Sequence, residues 1–165
     1  MNRRLLIIVL MACLLPLGMQ AQQGTFRFAQ LTDIHLTPNN PNPTEDLLRS
    51  IAQINATDSI DFVLVTGDLT EEGDRATMEK VKSCLDLLKV PYHVALGNHE
   101  TKWSDSGCTA FGEIFGGERF EFEHKGFLFL GFNSGPLMRM AYGHVVPARY
   151  PLDDGGNGEN GKDNR

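Results

Sequence analysis

The sequence has no excess of positive charge. Its 165 residues carry 15 Lys and Arg against 21 Asp and Glu, a formal net charge of −6. That balance offers little to a nucleic-acid backbone or an anionic membrane surface, so no nucleic-acid polymer is expected as a partner. No uninterrupted apolar run spans a membrane either. The stretch Leu5 to Leu17 is short and is broken by Cys13 and Pro16. Cysteine is scarce, three in all. Cys84 and Cys108 fall on separate predicted helices, where single packing is expected over a disulfide. No internal repeat is evident.

The amino terminus reads as a targeting signal. Arg3 and Arg4 precede the apolar stretch, and Gly18-Met19-Gln20-Ala21 offers a small residue for cleavage before Gln22. Residues 1–21 are therefore expected to be a signal peptide, and the mature chain to be periplasmic or extracellular with no stable membrane insertion. Leu10-Met11-Ala12-Cys13 is a poor lipidation box because Met11 is bulky. Cleavage removes two Arg and no acid, which takes the net charge from −6 to −8. The rest of the chain is long enough for one domain with a core, and an apolar content of 41% excludes disorder for its bulk.

Three apolar runs set the architecture. Phe26 to Thr32, Asp61 to Thr66 and Tyr92 to Leu96 read as strands. Between them lie two amphipathic helices. The first is capped by Thr44 and buries Leu47, Leu48, Ile51 and Ile54. The second runs from Asp74 to Lys89 with Met78, Val81, Leu85 and Leu88 on one face. This is βαβαβ at the spacing of parallel crossover units. A short helix over Cys108 to Phe115 follows. Strands over Arg119–Phe122 and Phe127–Phe132 then flank a hairpin turn at His124-Lys125-Gly126. His124 is expected to be exposed in that turn, and His93 to be packed within its strand.

Each of the three strands ends in chemistry. The first runs into Asp33-Ile34-His35, the second into Gly67-Asp68, the third into Gly97-Asn98-His99-Glu100. In α/β sheets ligands bind at that carboxyl edge. Asp33 and His35 are two apart, and in extended backbone they point the same way, toward one cation. Asp68 has two carboxylate oxygens and can bridge two cations. Asn98 adds an oxygen ligand without charge. Mixed oxygen and imidazole donors suit Mn, Fe or Zn. Two such ions clamp a phosphoryl group and activate water near neutral pH. His99, next to Asn98, faces the opening, where its imidazole can protonate a leaving oxygen. Trp103, Ser104 and Asp105 either line the substrate opening or cover it.

At these residues the chain resembles the calcineurin-like metallophosphoesterases. The matching pieces are Leu31-Thr32-Asp33-Ile34-His35, Val65-Thr66-Gly67-Asp68-Leu69-Thr70 and Ala95-Leu96-Gly97-Asn98-His99-Glu100, with Phe132-Asn133-Ser134 as the strand that follows. The resemblance covers residues 26 to about 146, and the domain is taken as 25–146. It is nearest to the purple-acid-phosphatase-like and cyclic-nucleotide-phosphodiesterase-like branch. It implies an α/β fold: a two-sheet sandwich flanked by helices, with a dinuclear centre that hydrolyses phosphomonoesters or phosphodiesters. Asp33 and His35 then serve the first metal, Asp68 bridges, Asn98 serves the second, and His99 assists the leaving group.

The family pattern continues with a His-Pro strand end and a Gly-His-x-His, and neither is present. Gly143-His144 is followed by Val145-Val146, so His144 is not expected to be a ligand. The second metal then has only Asp68 and Asn98, where a catalytic metal normally has about three protein ligands. Residues 147–165 hold a glycine-rich run without apolar residues, Asp153 to Gly161, and read as a disordered tail. The readings for it are a natural disordered terminus or a shifted frame from about Pro147. The chain is thus expected to be the N-terminal part of a metal-dependent phosphoesterase acting on a small phosphate ester. The alternative is a fragment, or a metal or phosphate binder, without turnover.

Overall fold

A computed structural model describes residues 24–104 and 106–135. The expected signal peptide, residues 1–21, together with Asp105, His144 and residues 147–165, lies outside the described residues. Within them the element order is β1 (Phe28–Leu31), α1 (Asn42–Ala56), β2 (Phe62–Thr66), α2 (Arg75–Leu85), β3 (Tyr92–Ala95), a π-helical turn (His99–Trp103), α3 (Thr109–Phe115), β4 (Phe120–His124) and β5 (Phe127–Gly131). The first three strands form a parallel sheet in the order β1-β2-β3, and β4 and β5 form an antiparallel hairpin. This is the expected α/β fold, with βαβαβ followed by a hairpin. No helix among the described residues is long and apolar enough to cross a membrane.

Period-two alternation in β2 divides the interior into two layers. Val63 and Val65 face the helices and join Leu47, Ile51, Met78, Val81, Leu85, Val94 and Phe111 in one buried cluster. Phe62 points the other way, onto the hairpin. There its ring meets Phe122 at 5.1 Å and Phe129 at 5.0 Å. His93 stacks flat on Phe122, 3.7 Å between centroids, and burial holds its pKa below the usual imidazole value. It is the packed histidine the sequence implies. The hairpin turns through Lys125 and Gly126, both at positive φ (49° and 84°), the pattern of a two-residue turn matched to strand twist.

Three local expectations are corrected. Helix α1 begins at Asn42, with Pro41 as its cap residue, so Thr44 is inside the first turn. Pro43 has no N–H to lose there, and Asn40 Oδ1 accepts from Asn42 N at 3.0 Å. Helix α2 starts as expected, with Asp74 accepting from Thr77 N, but ends at Leu85. Its continuation toward Lys89 is a run of turns, with Leu87 N donating to Cys84 O and Leu88 N to Leu85 O. His124 is not an exposed turn residue. It ends β4, with its side chain 28% exposed, its ring 5.3 Å from Phe62 and its Nε2 3.2 Å from Asp61. Cys84 and Cys108 are both buried, and no disulfide joins them.

Candidate metal centre

The loops after β1 and β2 stay zipped together beyond the sheet. Asp33 N donates to Gly67 O (3.2 Å), His35 N to Asp68 O (3.0 Å), Leu36 N to Leu69 O (3.0 Å) and Glu71 N to Leu36 O (2.9 Å). Leu36 and Leu69 are buried and anchor this extension. The two motifs are therefore held on a ladder rather than on free loops, which suits a site that must keep its geometry.

Asp33 and His35 do not reach one point by the pleat of an extended strand. Asp33, His35 and Asp68 have φ of 53°, 48° and 50°. These left-handed conformations turn both β1-loop side chains toward Asp68. Ligand atoms of Asp33, His35 and Asp68 lie within 4.8 Å of one another. His35 Nε2 is 3.9 Å from Asp33 Oδ1. Thr32 Oγ1 donates to Asp33 Oδ2 at 2.6 Å.

Close glycine packing brings the third motif in. A Cβ on Gly67 would lie 2.6 Å from Gly97 Cα, and one on Gly97 would lie 2.1 Å from Asp68 Oδ1. Neither position has room for a side chain, so the two glycines let the loop after β3 lie directly against Asp68 in the loop after β2. His99 N donates to Asp68 Oδ1 at 3.1 Å. Asn98 sits exposed at the start of the π-helical turn. The His99 and His35 rings meet edge-on, 4.6 Å between centroids.

Two functional positions escaped the sequence reading. Glu100 is fully buried, and its carboxylate accepts from Leu69 N (2.9 Å), Thr70 N (3.1 Å) and Gly97 N (3.0 Å). It fastens the second motif to the third. Glu71 touches both histidines. Its Oε2 is 3.0 Å from His35 Nδ1, and its backbone carbonyl is 2.6 Å from His99 Nδ1. A carbonyl only accepts, so His99 carries its proton on Nδ1 and leaves Nε2 free. Both contacts bridge residues about thirty positions apart, and no local pattern announces them.

The donor set fits a divalent cation. His35 Nδ1 is shielded from solvent and has no aligned hydrogen-bond partner, and Glu71 is near it only at ion-pair distance. Two carboxylates and an imidazole converge at the edge of a sheet, on backbone that costs energy to hold. Ligand atoms of His35, Glu71 and His99 also lie within 4.8 Å of one another, so His35 is shared by two possible donor trios. Beside His99 opens a cleft of about 760 Å³.

Comparison with known proteins bears on the family of the chain. The family model for calcineurin-like phosphoesterases matches residues 26–161. A probable cyclic nucleotide phosphodiesterase of Rhodopseudomonas palustris is 32% identical over 97 residues, covering 55% of this chain and 33% of that protein. Another, from Xenorhabdus bovienii, is 30% identical over 83 residues, covering 45% and 34%. The chain thus spans about a third of the length of the curated relatives it matches. A purple acid phosphatase from yellow lupin seeds aligns at a TM-score of 0.35 and 22% identity, over 53% of this chain and 17% of its own.

Proposed function

Because the chain belongs to the calcineurin-like phosphoesterase family, we propose that its site binds divalent cations and hydrolyses small phosphate esters. The observation that carries this is the convergence of Asp33, His35 and Asp68 within 4.8 Å at the ends of adjacent parallel strands. In this reading Asp33, His35 and Asp68 would hold one cation, and Asp68 and Asn98 would hold a second. Mn, Fe and Zn suit the donors. When bound, the cations supply Lewis-acid polarisation of the phosphoryl oxygens.

The chain's own residues do the rest. Glu71 fixes the His99 ring through its carbonyl and sets its carboxylate 3.0 Å from His35 Nδ1. His99, held at Nδ1 by the Glu71 carbonyl, presents Nε2 to the opening. In its protonated form Nε2–H donates to the departing oxygen, the proton that an alkoxide leaving group needs. Asp68 Oδ1, receiving the His99 amide, is fixed in orientation. Relatives named as probable cyclic nucleotide phosphodiesterases make phosphodiesters the first class to try.

The test is turnover of p-nitrophenyl phosphate and its bis ester by the purified chain with Mn. Turnover is expected, and its loss in Asp68→Asn with unchanged circular dichroism supports the assignment. A second reading is favoured by ligand count: of the proposed ligands, only Asp68 and Asn98 serve the second cation, below the usual three. A folded chain that binds Mn or phosphate without turnover supports that reading of a non-catalytic binder. We also propose export on the strength of Arg3, Arg4 and the Leu5–Leu17 stretch. N-terminal sequencing of the mature product is expected to begin at Gln22.

A further inference from the structure

The cleft beside His99 is unlike the metal edge in its lining. Arg75, His99, Trp103, Ser104, Ser106 and Thr109 contribute to it, with Glu71, Glu72 and Asp74 on the same wall. Its volume suits a small organic ligand. Its charge does not suit a phosphate. Three acids line it, and its one cationic side chain, Arg75, is engaged by Glu113 and Glu79. Charge therefore assigns the phosphoryl group to the cation edge and leaves the cleft for an uncharged portion of the substrate.

Trp103 gives that portion a chemistry. Its indole is 50% exposed, which is high for so large an apolar group. It ends the π-helical turn that begins at His99, and such irregular turns recur at functional sites. Lys102 Nζ lies 5.0 Å from the ring centroid and takes one face, leaving the other for a ligand. The Thr109 hydroxyl supplies a donor and acceptor for a polar edge, while the Ser104 and Ser106 hydroxyls bond each other at 2.8 Å. We propose that this cleft is the leaving-group subsite, and that it selects esters whose uncharged alcohol carries a flat aromatic or heteroaromatic ring that stacks on Trp103. The proposal rests on the phosphoesterase reading of the metal centre, since His99 is the group that joins the two.

Trp103 is the single tryptophan of the chain, so fluorescence excited near its red edge reads this ring alone. The full chain with Zn is titrated with adenosine 5′-monophosphate, phenyl phosphate, adenosine, ribose 5-phosphate and inorganic phosphate. Calorimetry follows Zn and phosphate binding separately. Saturable quenching is expected from the ring-bearing ligands and from adenosine at higher concentration, with none from ribose 5-phosphate or phosphate. Measured by calorimetry, because the variants lack the fluorophore, Trp103→Ala is expected to weaken ring-bearing ligands roughly tenfold while ribose 5-phosphate is unchanged, and Trp103→Phe to restore most of the loss. A response to phenyl phosphate but not to the nucleotide assigns the subsite to simple aryl esters; the converse assigns it to nucleosides. If no ring-bearing ligand moves the fluorescence, or ring-bearing and ring-free ligands bind alike, the subsite is wrong. If Zn and phosphate still bind in that case, the metal-centre reading stands; if they also fail, it falls too.

Discussion

At the scale of single residues, three of the six non-glycine positive-φ positions among the described residues are Asp33, His35 and Asp68. A left-handed conformation costs an L-residue roughly 1–2 kcal/mol, least for Asp and Asn. The zipped loops hold that cost in place. Asp33→Asn keeps both the shape and the tolerance for that backbone, and its side chain is exposed. The variant is expected to keep the parent's thermal midpoint and to lose Mn or Zn affinity by roughly a hundredfold, at the upper end of what losing an outer partner costs. Calorimetry beside thermal melting checks this; a lowered midpoint with intact affinity would reverse the roles. Glu100 is the opposite case. Its removal in Glu100→Ala strands three backbone N–H groups in the interior, so we expect a loss of about 3 kcal/mol in urea unfolding. Metal binding should fall with it, because Asp68 and Asn98 lose their common fastening. Sequence pattern marked the Gly-Asn-His-Glu run as unusual but did not give Glu100 its work. Two of the three amides it meets, those of Leu69 and Thr70, belong to a loop about thirty residues away.

At the scale of elements, apolar periodicity gave the strand–helix order because each element buries one face, and burial is written in local spacing. The carboxyl-edge placement of Asp33, His35, Asp68, Asn98 and His99 followed from where the apolar runs stop. What local spacing does not encode is a partner distant in sequence. His124 reads as a polar turn residue, yet it lies against Phe62 and Asp61 because the hairpin folds onto the parallel sheet. Asp61 is the junction. Its carboxylate meets Lys125 Nζ at 2.7 Å and the Arg27 amide at 2.9 Å. The Lys125 ammonium first, and then the Arg27 amide, hold its pKa down at about 2 against an ordinary 3.8. A carboxyl depressed in the folded state adds stability that is complete above the unfolded value and vanishes as pH falls through the folded one. The contribution of Asp61 is therefore expected to be full above about pH 4 and gone near pH 2. Thermal melts of the parent and Asp61→Asn from pH 5 to 2 test it. The midpoints should differ at pH 5 and converge near pH 2, whereas a constant gap would show that Asp61 acts by shape alone.

At the scale of the whole molecule, the helix-facing layer is closed among the described residues and the hairpin layer is not. In β5 the inward set, Phe127 and Phe129, meets the aromatic layer around Phe26 and Phe62. The alternate residues Leu128 and Leu130 face outward, opposite Glu123 and Glu121 on β4, and are 55% and 46% exposed. Phe132 continues the row at 47%. An outward face with leucines along one strand, on a hairpin whose strands pair with no other strand among the described residues, combines exposed apolar surface with unpaired backbone edges. Both favour association. The two acids on β4 oppose it, but they screen only one side of the pair. We therefore expect the purified chain to associate as its concentration rises and to bind a hydrophobic dye. Leu128→Lys with Leu130→Lys, each opposite a β4 glutamate, should abolish both. These positions are about half exposed, so the double variant forfeits only part of the transfer energy of two leucines at about 25 cal/mol per Å², and its thermal midpoint should fall only modestly below the parent's. Light scattering across a concentration series is the measurement. A parent chain that stays monomeric without binding dye would show that this face is covered, and the double variant would then lose stability by disturbing the cover.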